Sequence, residues 1–220
     1  MTTVYMIRHS NKLPSDFYES INEEDNLYLK DNNRILSIEG EERSRILANE
    51  NELQNIDVVY TSSMVRTQST AKYLCYNQNL KMNVDKRLNE KITGIINPNI
   101  KDWYIIQYKD KSFKNEKGES QEEVYNRVNE VMEEILNKNK NKRIAVFSHG
   151  YAITYYLLHF CKLVNVDNDR KLTIKFKNKV FMDKILNAPE VFKLIFDENN
   201  NLIDINIIEF DDLPYLHGGI

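Results

Sequence analysis

Two apolar runs in this chain end in residues able to carry phosphoryl chemistry. Val4-Tyr5-Met6-Ile7 delivers Arg8, His9 and Ser10, and Ile144-Ala145-Val146-Phe147 delivers Ser148, His149 and Gly150. An imidazole attacks phosphorus only through an unprotonated ring nitrogen, so its other nitrogen needs an acceptor to hold the proton. The phosphoryl oxygens stay charged through the transition state and need fixed cations around them. Arginine suits that work because its planar fork reaches two oxygens at once. The leaving oxygen needs a proton, commonly from a carboxylic acid. Arg8, His9, Arg66, Glu90 and His149 supply a candidate for each role.

Positioning these groups falls to the elements that carry them. Both runs are short, continuous and rich in β-branched and aromatic residues, the pattern of buried strands. Parallel strands of an α/β sheet put their carboxyl ends on one edge, where ligands bind. Strand-like and helix-like stretches alternate along the chain, which predicts an α/β fold, a three-layer α/β/α sandwich with a mostly parallel central sheet. Ser37 reads as an N-cap, with Glu39, Glu41 and Glu42 in the first turn of a helix to about Asn51. Asp57–Thr61 reads as the second strand, a helix runs on through Thr70, Ala71, Leu74 and Cys75, and Met82–Leu88 reads as a short strand. Ser120-Gln121-Glu122-Glu123 forms a capping box, and Val124, Val128, Val131 and Ile135 stripe a helix to about Asn139. A strand over Arg143–Phe147 precedes an apolar helix from Tyr151 to about Leu163. Val191–Phe196 and Leu202–Ile208 flank the turn-rich Asp197–Asn201, a hairpin signal. Two stretches, 11–34 and 91–119, show no clear period. Both follow elements that end at the proposed edge and are expected to lie over the site.

The composition bounds the remaining possibilities. A chain of 220 residues fits one α/β domain with a sizeable core. A net charge of -3 argues against a general nucleic-acid binder while allowing a local basic pocket. No run approaches the ~20 apolar residues of a membrane span, and the chain opens on a strand pattern without a leader-like segment. Cys75 and Cys161 lie far apart in apolar stretches and read as buried thiols. A reducing, cytoplasmic setting is therefore expected. No Asp, His or Cys cluster has metal-ligand spacing, so neither metal nor cofactor is expected. His159 on an apolar helix reads as a packed histidine, and His217 as an exposed terminal one. Lys101, Lys109, Lys111, Lys114 and Lys117 form a solvated face or a basic rim for an anionic substrate.

Further segments carry a resemblance. Thr61-Ser62-Ser63-Met64-Val65-Arg66, Arg87-Leu88-Asn89-Glu90 with Gly94, Gly118-Glu119-Ser120 with Arg127, and Leu36-Ser37-Ile38-Glu39-Gly40 join the two histidine motifs. In their order along the chain, over roughly residues 3–160, they resemble the histidine phosphatase superfamily, of phosphoglycerate-mutase-like fold. The resemblance implies His9 as a nucleophile that forms a phosphohistidine, without metal. It implies Arg8, Arg66 and His149 around the phosphoryl oxygens, with Ser62 beside them, and Glu90 as the acid on the leaving oxygen. Glu116, Glu119 and Asp16 are the alternatives for that acid. Ser10 stands where the family has glycine or alanine. Ser15 stands where many members place a phosphate-binding asparagine, and would reach the substrate with a shorter side chain.

The reading is a phosphatase acting on a small phosphorylated substrate. A mutase would shield the phosphoenzyme from water and pass its phosphoryl group to a second substrate. A non-catalytic module would use the pocket for phosphorylated ligands or a protein partner, and its sequence sign would be loss of the nucleophile or an arginine.

Overall fold

Alternation within two central strands sets the layers. The computed structural model describes residues 1–18 and 33–210. Strand β1 (Thr2–Arg8) pairs in parallel with β4 (Arg143–Ser148), in register from Thr3↔Arg143 to Arg8↔Ser148. Val4, Met6, Ile144 and Val146 enter one hydrophobic core, and Tyr5, Ile7, Ala145 and Phe147 the other. Both faces of these strands are therefore buried, which is why they read as unbroken apolar runs rather than as alternating ones.

Two helices cover each face. On one lie α1 (Ile38–Leu47) and α2 (Val65–Asn77), bringing Leu47, Ala71 and Leu74 to the second core. On the other lie α4 (Gln121–Lys138) and α5 (Gly150–Phe160), with α3 (Trp103–Lys109) adding Tyr108 to that core. The sheet also holds β2 (Val58–Thr61), β3 (Met82–Val84), β8 (Glu190–Phe196) and β9 (Leu202–Ile208), in the order β3-β2-β4-β1-β8-β9. Strands β3, β2, β4 and β1 run parallel, while β8 and β9 are antiparallel additions. This is the expected three-layer α/β/α sandwich with a mostly parallel sheet.

Because β1, β2 and β4 run parallel, their carboxyl ends share one edge. The hydrogen-bond ladder continues one residue past each end. His9 N–H donates to Ser148 O at 3.0 Å, and Ser62 N–H donates to Phe147 O at 3.0 Å. Sheet register thus extends into the residues that could do chemistry.

Helix α1 then closes on the chain just after His9. Ser37 caps it by accepting Gly40 N–H at 3.0 Å, and Ser37 N–H donates to Asn11 O at 3.0 Å. A Cβ on Gly40 would lie 2.0 Å from Asn11 O, so only glycine lets the helix approach this closely.

Several expectations require correction. The helix from Ser37 stops at Leu47, before Asn51. The strand Met82–Leu88 shortens to Met82–Val84, because the Asp85 carboxylate accepts Arg87 N–H at 2.8 Å and turns the chain into a 3-10 segment. The apolar helix stops at Phe160, where the chain enters β5 (Lys162–Val166). With β6 (Leu172–Phe176) and β7 (Lys179–Lys184), it forms a separate antiparallel sheet. Segment 91–119 is not irregular throughout: it contains α3, and Ile95 bridges Glu116. In segment 11–34, Lys12 bridges Leu36 and Ser15–Phe17 form a 3-10 turn, while 19–32 lie outside the described residues. Cys75 and Cys161 are free thiols, and no helix among the described residues is long and apolar enough to cross a membrane.

Helix propensity alone favours Gly40→Ala by about 1 kcal/mol. The close approach to Asn11 reverses the sign, and a destabilisation of about 1–3 kcal/mol is expected. Urea denaturation decides between them: a higher midpoint in Gly40→Ala would show that the contact is not constraining.

Candidate active site

His9 and His149 face each other across the sheet edge, with ring centroids 5.2 Å apart and planes at 61°. Both are buried. His9 Nδ1 lies 2.7 Å from Ser10 O. A carbonyl only accepts, so Nδ1 carries the proton and Nε2 keeps the lone pair. The acceptor is itself held, because Ser10 N–H donates to Thr70 Oγ1 at 3.0 Å and Thr70 Oγ1 donates to Arg66 O at 2.8 Å.

His149 is fixed through a hydroxyl relay. Its Nε2 lies 2.8 Å from Ser62 Oγ, Ser62 Oγ lies 2.6 Å from Thr67 Oγ1, and Thr67 Oγ1 donates to Met64 O at 2.7 Å. One orientation satisfies all three bonds: His149 Nε2–H to Ser62, Ser62 to Thr67, Thr67 to the carbonyl. Nδ1 of His149 is then the ring nitrogen without a partner. The Ser62 hydroxyl, expected beside the phosphate, instead orients His149.

Cations surround the pair. Arg8 Nη1 donates to Leu186 O at 2.7 Å and Asn187 O at 3.0 Å, while Arg8 Nε has no partner. Glu190, directly opposite Arg8 in the β1–β8 register, does not pair with it. Its carboxylate accepts Asn187 N–H at 2.9 Å and Lys184 Nζ at 3.2 Å, fixing the carbonyl cradle that holds Arg8. Arg66 is buried in the first turn of α2. Half-buried Lys12 projects its charge onto both histidines. Burial and the neighbouring Arg34, Arg66 and Arg8 lower its pKa to about 8, against the pull of Glu90. Lys12 carried no sequence signal: a lone lysine in a polar stretch looks like any surface residue.

Glu90 brings a negative charge close to Arg8 and Lys12. Helix α5 has no side-chain cap of its own. Glu90 accepts Ala152 N–H at 3.2 Å and Tyr151 N–H at 3.4 Å there, and Lys91 N–H at 2.9 Å. Arg127 holds the segment in place, donating to Arg87 O and Asn89 O at 2.8 Å each and to Glu90 O at 3.2 Å. Of the alternative acids, Glu119 is paired with Arg127 at 2.8 Å and Asp16 is exposed. Ser15 is exposed at the start of the 3-10 turn and makes no side-chain hydrogen bond among the described residues. His159 is an exposed histidine stacked on Tyr125 with centroids 4.1 Å apart, away from this cluster. No group of three or more His, Cys, Asp or Glu among the described residues is placed to hold a metal ion.

Electrostatics keeps both histidines neutral. Burial is the largest cause of the fall in each pKa, followed for both by Arg66. Arg8 and Lys12 lower His9 further, and the Ser10 carbonyl opposes them. Two neutral imidazoles thus lie among guanidinium groups, and the proton fixed on Nδ1 of His9 leaves its Nε2 with the lone pair.

The family model of the histidine phosphatase superfamily (branch 1) matches residues 4–178, which include every residue of this cluster up to His149. The chain belongs to the histidine phosphatase superfamily. Phosphoserine phosphatase 1 of Hydrogenobacter thermophilus is 28% identical over 142 residues, which cover 60% of this chain and 65% of that protein. This chain therefore spans just under two thirds of that relative. Among solved structures, mycobacterial glucosyl-3-phosphoglycerate phosphatase with bound vanadate superposes with a TM-score of 0.66 at 17% identity, covering 94% of this chain and 98% of the other. A histidine-to-alanine variant of Entamoeba histolytica phosphoserine phosphatase with phosphoserine gives a TM-score of 0.59 at 17% identity, covering 98% of this chain and 100% of the other. These likenesses show the phosphoglycerate-mutase-like fold.

Both imidazoles start from an ordinary midpoint of 6.5 and are shifted well below it. Free base is the form lost as pH falls, so at pH 6.5 each should remain neutral. Nitrogen NMR of labelled protein should show His9 protonated at Nδ1 and bare at Nε2 at that pH. A half-charged ring there would mean that burial and the arginines do not govern it.

Proposed function

We propose that this chain is a phosphatase that hydrolyses a small phosphomonoester through a phosphohistidine on His9. The observation that carries this reading is the 2.7 Å contact from His9 Nδ1 to Ser10 O, which leaves Nε2 as a neutral nucleophile among Arg8, Arg66 and Lys12. Nε2 attacks phosphorus while the bond from phosphorus to the ester oxygen breaks. The phosphoryl oxygens gather toward the guanidinium groups, whose fixed charge takes the part a metal ion would otherwise play. Glu90, in its protonated form, gives its proton to the leaving oxygen. As a carboxylate it then takes a proton from water, whose oxygen attacks phosphorus. The bond from phosphorus to Nε2 breaks, and phosphate leaves.

His149 governs how the proton is shared with the substrate. Its unpartnered Nδ1 can accept a hydrogen bond from a singly protonated phosphoryl group, or become a donor once the anion raises its basicity. Names of the relatives support small phosphorylated substrates such as phosphoserine, and the retained nucleophile and arginines favour turnover over simple binding.

The direct test is hydrolysis of p-nitrophenyl phosphate in the presence of EDTA. Activity should persist, and His9→Ala should lower it by about 10⁴-fold or more. In the free enzyme kcat/KM should fall as pH rises through about 8, where Lys12 loses its proton. Lys12→Met should remove that limb and raise KM at neutral pH. Loss of activity to EDTA with recovery on adding a divalent ion would contradict this mechanism, as would an active His9→Ala protein.

A further inference from the structure

An aromatic row leads away from Glu90 and ends at a cation that the proposed reaction does not use. Tyr151, whose N–H reaches Glu90, has its ring 6.3 Å from Tyr104 and 6.0 Å from Tyr108. Helix α3 is tied to this row by a polar link: Lys91 Nζ donates to Gln107 Oε1 at 2.9 Å, and Gln107 Nε2 donates to Tyr151 OH at 3.2 Å. Beyond it, the Arg170 guanidinium lies 5.3 Å from the centre of the Tyr104 ring.

Arg170 sits in the turn between β5 and β6 with φ +65°, a left-handed conformation that disfavours an arginine. The turn is closed by Arg170 N–H to Asp167 O and Asp167 N–H to Lys171 O, at 3.2 Å each. Asp167 Oδ1 accepts the backbone N–H groups of Asp169 and Lys171 rather than the guanidinium. Among the described residues Arg170 enters no ion pair, and its side chain is exposed. Stacking on Tyr104 steadies one face of the guanidinium and leaves its N–H edge available. Arg170 and Arg8 both favour the ionised form of the Tyr104 hydroxyl, against the larger effect of burial, so this ring lies within electrostatic reach of both cations.

We propose that Tyr104 and Arg170 form a leaving-group subsite that binds an oxyanion, a carboxylate or a second phosphate, on the alcohol part of the substrate. The proposal rests on the phosphatase reading, because it takes Glu90 to mark the side on which the alcohol leaves. With the phosphoryl group among Arg8 and Arg66, the alcohol extends past Glu90 along Tyr151 and Tyr104. The rings line its path, and the planar fork of Arg170 fits two oxygens of an anion. A neutral alcohol would gain the rings but not the fork.

Two substrate pairs test this. O-phosphoserine and O-phosphoethanolamine differ by one carboxylate, while a hexose bisphosphate and its monophosphate differ by one phosphate. The wild-type protein should favour the charged member of one pair in kcat/KM, and the responding pair identifies the anion. Arg170→Gly keeps the left-handed turn and should lower that preference ratio by about 10-fold, mainly through KM. Arg170→Lys should restore part of it. A ratio unchanged in Arg170→Gly, or no preference in either pair, overturns the subsite and leaves the phosphatase reading intact if p-nitrophenyl phosphate is still hydrolysed through His9. Failure to hydrolyse any phosphomonoester overturns both.

Discussion

The contact between His9 Nδ1 and the Ser10 carbonyl is the constraint on which the rest of the site depends. It fixes the proton on one nitrogen and so decides which nitrogen has a lone pair. The carbonyl can do this only if Ser10 itself is held, and Thr70 holds it while also bonding to Arg66 O. His9 and Arg66 are therefore positioned by one short chain of hydrogen bonds. Sheet register supplies the other half, through His9 N–H on Ser148 O. The close approach of Gly40 to Asn11 secures the chain that follows.

The cluster concentrates positive charge around two buried imidazoles. Arg8 and Arg66 both act on Lys12, and the Glu90 carboxylate opposes them at Lys12 and also acts on Arg8. Glu190 is as close in register to Arg8 as a residue can be, yet it is engaged with Lys184 and Asn187. Arg8 donates instead to the carbonyls of Leu186 and Asn187, and its Nε has no partner. Burial and neighbouring positive charge, Arg66 and Lys12 for both rings, disfavour a further cation, so both imidazoles are neutral. Such concentrations of perturbed groups mark functional sites more often than structural ones.

Much of this was legible in the sequence where one local pattern determined the structure. Strands β1 and β4 are buried on both faces, so their apolar runs were unambiguous. The Ser120 capping box and the β8–β9 hairpin carried their own terminal signals. The β5–β7 sheet did not, because the apolar run of α5 continues through Cys161 and Leu163 with no glycine or proline to mark the change. Helix α3 is short and starts at Asp102 in a left-handed conformation without a side-chain cap bond, leaving no start signal. At the site, the residues carried by motifs are legible in the sequence, whereas those whose surroundings are set by three-dimensional proximity leave no sequence signal. Lys12, Glu190 and Arg170 gain meaning only from what the fold places beside them. Ser62 was legible as a site residue, but its partner, His149, is 87 residues away.

The proposed reaction requires that Nε2 of His9, and no other atom, meet phosphorus. The most direct test is to trap the phosphoenzyme by rapid mixing with substrate and alkaline quench, then assign the phosphorylated nitrogen by phosphorus and nitrogen NMR. A single phosphohistidine at residue 9, substituted at Nε2, is expected. Phosphate on Nδ1, or on any residue other than His9, would contradict it.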